Sequence, residues 1–178
     1  MADAIITQAD QLHIEQKYAE LLTLMEGAFK TYPDNDEITW RLARCYFDKV
    51  EEEKIANAVK IKEHAVRSLE LKPNDPTTLH LLGRWCYSVA NIGWAERTIA
   101  SALFGTPPTA TFQEALDYFL QADQQDPLLV RNVLYLGDTY AALKDNVKAK
   151  EYYVRVSKMQ PRSEIEKAQV AEGLKKSK

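Results

Sequence analysis

Residues 130–161 read VRNVLYLGDTYAALKDNVKAKEYYVRVSKMQP, and their spacing decides the fold. Counting Val130 as position 1, Val133 falls at 4, Leu136 at 7, Gly137 at 8, Tyr140 at 11, Ala149 at 20, Tyr153 at 24 and Pro161 at 32. Two helical stripes separated by a turn, closed by a proline, make a helix–turn–helix unit that repeats about every 34 residues. Each position has a physical task. Gly137 lets two helices approach, Ala149 keeps their crossing tight, and Tyr140 and Tyr153 fill the space around it. Pro161 lacks the amide proton that would continue the second helix.

The unit recurs upstream with disturbed spacing. Helix-ending prolines stand at 33, 73, 127 and 161, giving intervals of 40, 54 and 34 residues. In the unit that begins at Pro76, Leu82, Gly83 and Cys86 take positions 7, 8 and 11. Its second helix resumes late, with Ala115, Phe119, Ala122 and Pro127 correctly spaced among themselves. An insertion of about 20 residues relative to the repeat period therefore lies between its two helices. The preceding unit has Leu42, Ala43 and Tyr46 at the same positions, and its surplus surrounds the acidic run Glu51, Glu52, Glu53. The first unit uses Ile5, Ala9, Leu12, Leu21, Met25, Ala28 and Pro33, with Gln8 where a leucine is expected.

After the last unit, Ser163 and Glu166 have capping-box spacing, and a final helix with Ile165, Ala168, Val170 and Leu174 would cover the end of the stack. The fold expected is all-α: a right-handed α-solenoid of about four tetratricopeptide (TPR)-like repeats. One TPR-like domain spans 1–178, with repeats near 2–35, 36–75, 76–129 and 130–163 and a capping helix at 164–176. The insertion in the third repeat is itself expected to be helical, with Ile92, Ala95, Ile99 and Leu103 on one face and Gly105, Pro107 and Pro108 ending it.

Composition agrees. The chain has 178 residues, of which 46% are hydrophobic and 28% charged, too apolar for a disordered segment. Six glycines leave little material for hairpins or phosphate loops, and two cysteines make neither a disulfide scaffold nor a zinc site. The first ten residues carry no base, so they do not read as a signal peptide, and no apolar run reaches the length of a membrane span. The net charge of −3 conceals a gradient: residues 1–75 carry −5, residues 76–143 carry −3 and residues 144–178 carry +5.

Chemistry is harder to find. His13, His64 and His80 belong to no ligand pattern, neither Cys45 nor Cys86 has a CxxC partner, and no nucleotide-binding or nucleophile-elbow motif occurs. No catalytic residue, metal site or cofactor is expected, and the chain reads as a non-enzyme. Binding fares better. In such repeats the first helices line the concave face through positions 2, 5, 6, 9 and 12. Read there, the chain offers Trp40, Arg41, Arg44 and Phe47, then His80, Arg84 and Tyr87, then Arg131 and Tyr135. Arginine forks suit carboxylates and phosphates, and aromatic neighbours add rigid apolar area. The expected ligand is a protein or peptide with an acidic segment; the charge balance argues against nucleic acid.

The segment LLGRWCYSVANIGWAERTIASALFGTPPTATFQEALDYFLQADQQDP, residues 81–127, resembles the regulator of microtubule dynamics family, as does Trp40-Arg41-Leu42-Ala43-Arg44. The resemblance runs over essentially the whole chain. It implies a TPR-like protein associated with microtubules and spindle poles, hence a cytoplasmic, cytoskeletal location. Larger members carry an N-terminal membrane segment and act at organelle contacts, one with phospholipid-binding ability; without such a segment, this chain is closer to the soluble, microtubule-associated branch. Tubulin is acidic, so the basic end, with Lys144, Lys148, Lys150, Lys158, Lys175 and Lys176, is the expected microtubule-facing surface. The alternative the resemblance implies is a phospholipid-binding or transfer module, with Arg41, Arg44 or Arg84 at the headgroup.

Overall fold

The structure, a computed structural model, describes residues 2–48, 54–92 and 108–178. Among these residues it is entirely helical, as the repeat spacing requires. The helices are α1 (Ala2–Ile14), α2 (Tyr18–Thr31), α3 (Asp36–Asp48), α4 (Lys54–Leu71), α5 (Pro76–Ala90), α6 (Phe112–Gln125), α7 (Val130–Ala142), α8 (Asn146–Ser157) and α9 (Glu164–Lys176). They fall into two compact units, one holding α1–α4 and the other α5–α9. The helix expected across the insertion, and the acidic run at 51–53, lie outside the described residues.

In the first unit each helix packs on its neighbour in sequence. Most of the apolar positions read from the repeat are buried there: Ala9, Leu21, Met25, Leu42 and Ala43 are at most 1% exposed, while Ile5 and Leu12 of α1 are half-buried. Each large side chain so buried contributes about 2 kcal/mol from removal of apolar surface from water. The α1–α2 turn is a Schellman motif: the Lys17 and Gln16 amides donate to the Leu12 and His13 carbonyls, with Gln16 at φ 58°. Asn35 caps α3 by accepting the Ile38 amide at 3.0 Å.

The second unit shows what the repeat glycines do. A Cβ on Gly83 would stand 2.5 Å from two ring carbons of Phe119, and one on Gly137 would stand 2.5 Å from the ring of Tyr153. Hydrogen at these positions lets α5 seat against α6, and α7 against α8. Gly173 does the same for α9, whose backbone lies on Val156. The helix starts are firmly written. Asp75 accepts the Thr78 amide at 2.9 Å with Pro76 in the first turn, and Thr111 and Glu114 form a complete capping box. At α9 the box forms only in half. Ser163 accepts the Glu166 amide at 3.1 Å, but the Glu166 carboxylate takes the amide of Arg162 at 2.6 Å, one residue before the cap. The chain enters α9 extended at Ser163 (φ −148°), and the Arg162 donor is the one the carboxylate reaches. α9 covers α8 and touches α7.

Candidate functional site

The sequence-derived residues divide between the units. In the first, Trp40, Arg41 and Arg44 come together on α3, but their charges are answered locally. Arg41, 7% exposed, makes a two-pronged bond to Asp10 of α1, Nε to Oδ1 at 3.0 Å and Nη2 to Oδ2 at 2.9 Å. Its Nη1 donates to the Glu37 carbonyl at 3.1 Å and to the Glu37 carboxylate. Trp40 Nε1 donates to the same carboxylate at 3.0 Å. Arg44 lies 3.9 Å from Asp10, and both guanidinium groups stand within 5 Å of the Trp40 ring centre, at 4.5 and 4.8 Å. Lys72 adds a cation 3.7 Å from Asp36 and Glu37. The Arg41 hydrogen bonds hold the Asp10 carboxyl below the usual carboxylate range. Among the described residues, Arg41, Arg44 and Lys72 thus meet Asp10, Asp36 and Glu37, and Arg41 is compensated within the unit. Phe47 belongs to α3, with its side chain outside the described residues.

The second unit is different. Tyr135 on α7 is a hub. Its ring centre lies 5.6 Å from the His80 ring, 5.7 Å from Tyr87, 5.4 Å from Phe119 and 5.6 Å from the Arg84 guanidinium carbon. Arg131 stands one turn earlier on the same helix. Arg84, Tyr87, Arg131 and Tyr135 are all partly exposed, whereas His80 is 2% exposed and belongs to the floor beneath them. His80 Nδ1 is 3.1 Å from Asn132 Oδ1, and the Asn132 amide group donates to the Phe119 carbonyl at 2.8 Å. Burial, then the fields of Arg131 and Arg84, push the imidazole well below its ordinary pKa. Asp138, two turns along α7 from Arg131, is engaged by its neighbours. It accepts from Tyr153 Oη at 2.8 Å and from Lys176 Nζ at 2.7 Å. Arginine and aromatic side chains thus lie side by side in this unit, Arg84 on the Tyr135 ring and Tyr87 against the same ring.

The basic residues of the C-terminal end also separate. Lys144, Lys150, Lys158 and Lys175 are exposed. Lys150 borders an open apolar groove of about 590 Å³ on α8, with Val147 and Val154. Lys148 lies 4.0 Å from Asp145 and 5.2 Å from the Tyr140 ring centre. Lys176 bonds inward to Asp138 and Glu172, and these contacts outweigh its desolvation and raise its pKa.

The repeat positions put Asp138 on the concave face, but sequence reading gave no organising role to it or to Asp10. Asp10 and Asp138 both occupy position 9 of their repeats, and each takes a cation from another helix; reading acidic residues along the repeat would have found the pair. It also passed over Arg155. That side chain grips Asp123 with two bonds of 2.7 and 2.8 Å and the Pro127 carbonyl at 2.7 Å, tying α8 to the end of α6.

These glycine-seated helix pairs define a TPR-class helical repeat protein. A thermophilic TPR protein from Thermus thermophilus superposes with a TM-score of 0.70 over 97% of this chain and 81% of its own, at 19% identity. The family of regulator of microtubule dynamics proteins 1-3 matches residues 51–178, and the chain belongs to that family. Regulator of microtubule dynamics protein 1 of Bos taurus is 49% identical over 107 residues, 56% of this chain and 34% of the relative. Protein 3 of Rattus norvegicus is 28% identical over 200 residues, 83% of this chain and 42% of the relative. The chain thus matches less than half the length of these relatives. Among the described residues, no helix is long and apolar enough to cross a membrane.

Proposed function

We propose that this chain is a non-enzymatic adaptor in the regulation of microtubule dynamics, and that the α5–α7 face of its second unit holds an acidic segment of a protein partner. The observation that carries the reading is the Arg84 guanidinium over the Tyr135 ring, with Tyr87 against the same ring and Arg131 one turn earlier on α7. Guanidinium groups beside rigid aromatics recognise carboxylates by paired hydrogen bonds and flank them with apolar contact. In this reading the exposed Lys144, Lys150, Lys158 and Lys175 meet the acidic surface of the microtubule. Arg41, already compensated, positions α1 on α3. The family to which the chain belongs supports the microtubule setting.

Co-sedimentation with taxol-stabilised microtubules across a salt series tests the setting. Pelleting is expected at low salt, declining as salt screens the contacts, and weakened in a Lys150→Glu/Lys158→Glu variant. No pelleting at low salt refutes direct binding by this surface.

A further inference from the structure

The final helix, α9, keeps the register of a repeat's first helix. Glu164 stands 34 residues after Val130, so Lys167, Val170, Ala171 and Leu174 fall at positions 4, 7, 8 and 11. In α7 those positions carry Val133, Leu136, Gly137 and Tyr140, all buried, and α8 lies on them: the Tyr153 ring covers Gly137 and Tyr152 stacks on Tyr140. α9 instead meets the stack through Gly173, which lies on Val156. Its first-helix stripe faces outward. Ile165 and Leu174, expected from the sequence to cover the stack, are 71% and 51% exposed; Ala171 and Lys167 are exposed and Val170 is half-buried. The rim is basic, with Lys167, Lys175 and Lys178, and a single acid, Glu164, 3.6 Å from Lys167. Glu166 and Glu172 are taken up by the Arg162 amide and Lys176. The other repeats also show what residue position 8 accepts. One spacing, insertions aside, relates Ala9 to Met25, Ala43 to Ala65, Gly83 to Phe119 and Gly137 to Tyr153. All eight are buried, and the two glycines meet rings. Glycine thus stands opposite an aromatic and alanine opposite an aliphatic side chain.

We propose that the outward stripe of α9 docks an acidic amphipathic helix of a partner protein, which lies along α9 as α8 lies along α7 and completes a repeat between two chains. Val170, Ala171 and Leu174 form the apolar seam of the contact. Lys167 and Lys175 flank the seam, so acidic residues on the incoming helix are attracted and basic ones repelled. Ala171 sets the size rule: Ala or Met fits at the closest approach, whereas Phe or Tyr meets its Cβ, as a Cβ on Gly137 would meet Tyr153 at 2.5 Å. The site uses none of the α5–α7 arginines, and of the lysines assigned to the microtubule it uses Lys175 alone.

The probe is a stapled helical peptide with the sequence of residues 18–31 and Lys30→Glu, an acidic second helix whose Met25 is the aliphatic contact. Fluorescence anisotropy with the whole chain should show saturable binding, weakened about tenfold by Leu174→Glu in a chain of unchanged circular dichroism. Met25→Phe in the peptide should weaken binding about tenfold, and Ala171→Gly in the chain should remove that preference for Met over Phe. The ratio of the two affinities is the readout, because any loosening of α9 by glycine affects both peptides alike. Absence of binding, binding indifferent to Leu174→Glu, or a ratio unchanged by Ala171→Gly overturns the site. Sedimentation of the chain alone completes the test: a monomer is expected, and a dimer that Leu174→Glu dissociates would put a second copy on the stripe and overturn the partner helix.

Discussion

Replacing Gly83 by alanine tests the packing of the second unit directly. The new Cβ would lie 2.5 Å from Cδ1 and Cε1 of Phe119, about an ångström inside ordinary contact, and Phe119 is fully buried. The ring cannot yield without moving α6 off α5. Overpacking of this kind costs about 3 kcal/mol at the upper end of its range, against a gain of about 1 kcal/mol in helix propensity. A net loss of about 2 kcal/mol is expected, read as a lower urea midpoint at unchanged slope. Gly27 supplies the control, because a Cβ there meets nothing within 4 Å. Gly27→Ala should show the propensity gain alone, stabilising by about 1 kcal/mol. Phe119→Leu in the Gly83→Ala background should recover part of the loss, and the cycle isolates the contact. If Gly83→Ala stabilises the chain as Gly27→Ala does, the close approach of α5 and α6 is wrong.

Asp10→Asn should cost about 2 kcal/mol in urea unfolding, because it leaves the buried Arg41 with Glu37 alone. The Asp10 carboxyl titrates below its ordinary range, so its contribution is present above the unfolded pKa of about 4 and disappears as pH falls through the lower folded value. The variant should accordingly lose less stability than the wild type between pH 5 and pH 2. Lys144 sits at φ 66° in the Schellman turn after α7, and Lys144→Gly should raise the unfolding free energy by about 0.5 kcal/mol. Lys176→Gln should speed hydrogen exchange in α9 and, by exposing the Asp138 charge on the peptide face, weaken binding of an acidic peptide severalfold.

Much of this architecture is legible in the sequence because repeat physics is local. Gly83 and Phe119 are separated by the insertion, yet each keeps its register within its own helix, and the contact between them follows from the repeat. Proline positions and the Thr111–Glu114 box mark boundaries for the same reason: their chemistry acts within one turn of helix. The cross-helix ion pairs were not legible. Asp10 and Arg41 are 31 residues apart, and nothing local to either says whether the arginine faces a ligand or an acid. The left-handed turns at Gln16 and Lys144 were hidden because neither residue is the glycine that usually marks such a turn. Of the arginines read as one groove, Arg41 is a strut within the first unit, while Arg84 and Arg131 share the aromatic face of the second. The role of Arg41 comes from its burial against the position-9 acid Asp10, a tertiary contact that the sequence around it does not encode.

The central claim is that this face grips carboxylates through Arg84 and Arg131. Fluorescence anisotropy of a labelled hexaglutamate peptide, at low and moderate salt, measures it most directly. The account predicts salt-sensitive binding by the wild-type chain, and a loss of at least tenfold in an Arg84→Gln/Arg131→Gln variant whose circular dichroism and unfolding midpoint are retained. Equal affinity in that folded variant, or no binding by the wild type, would contradict it.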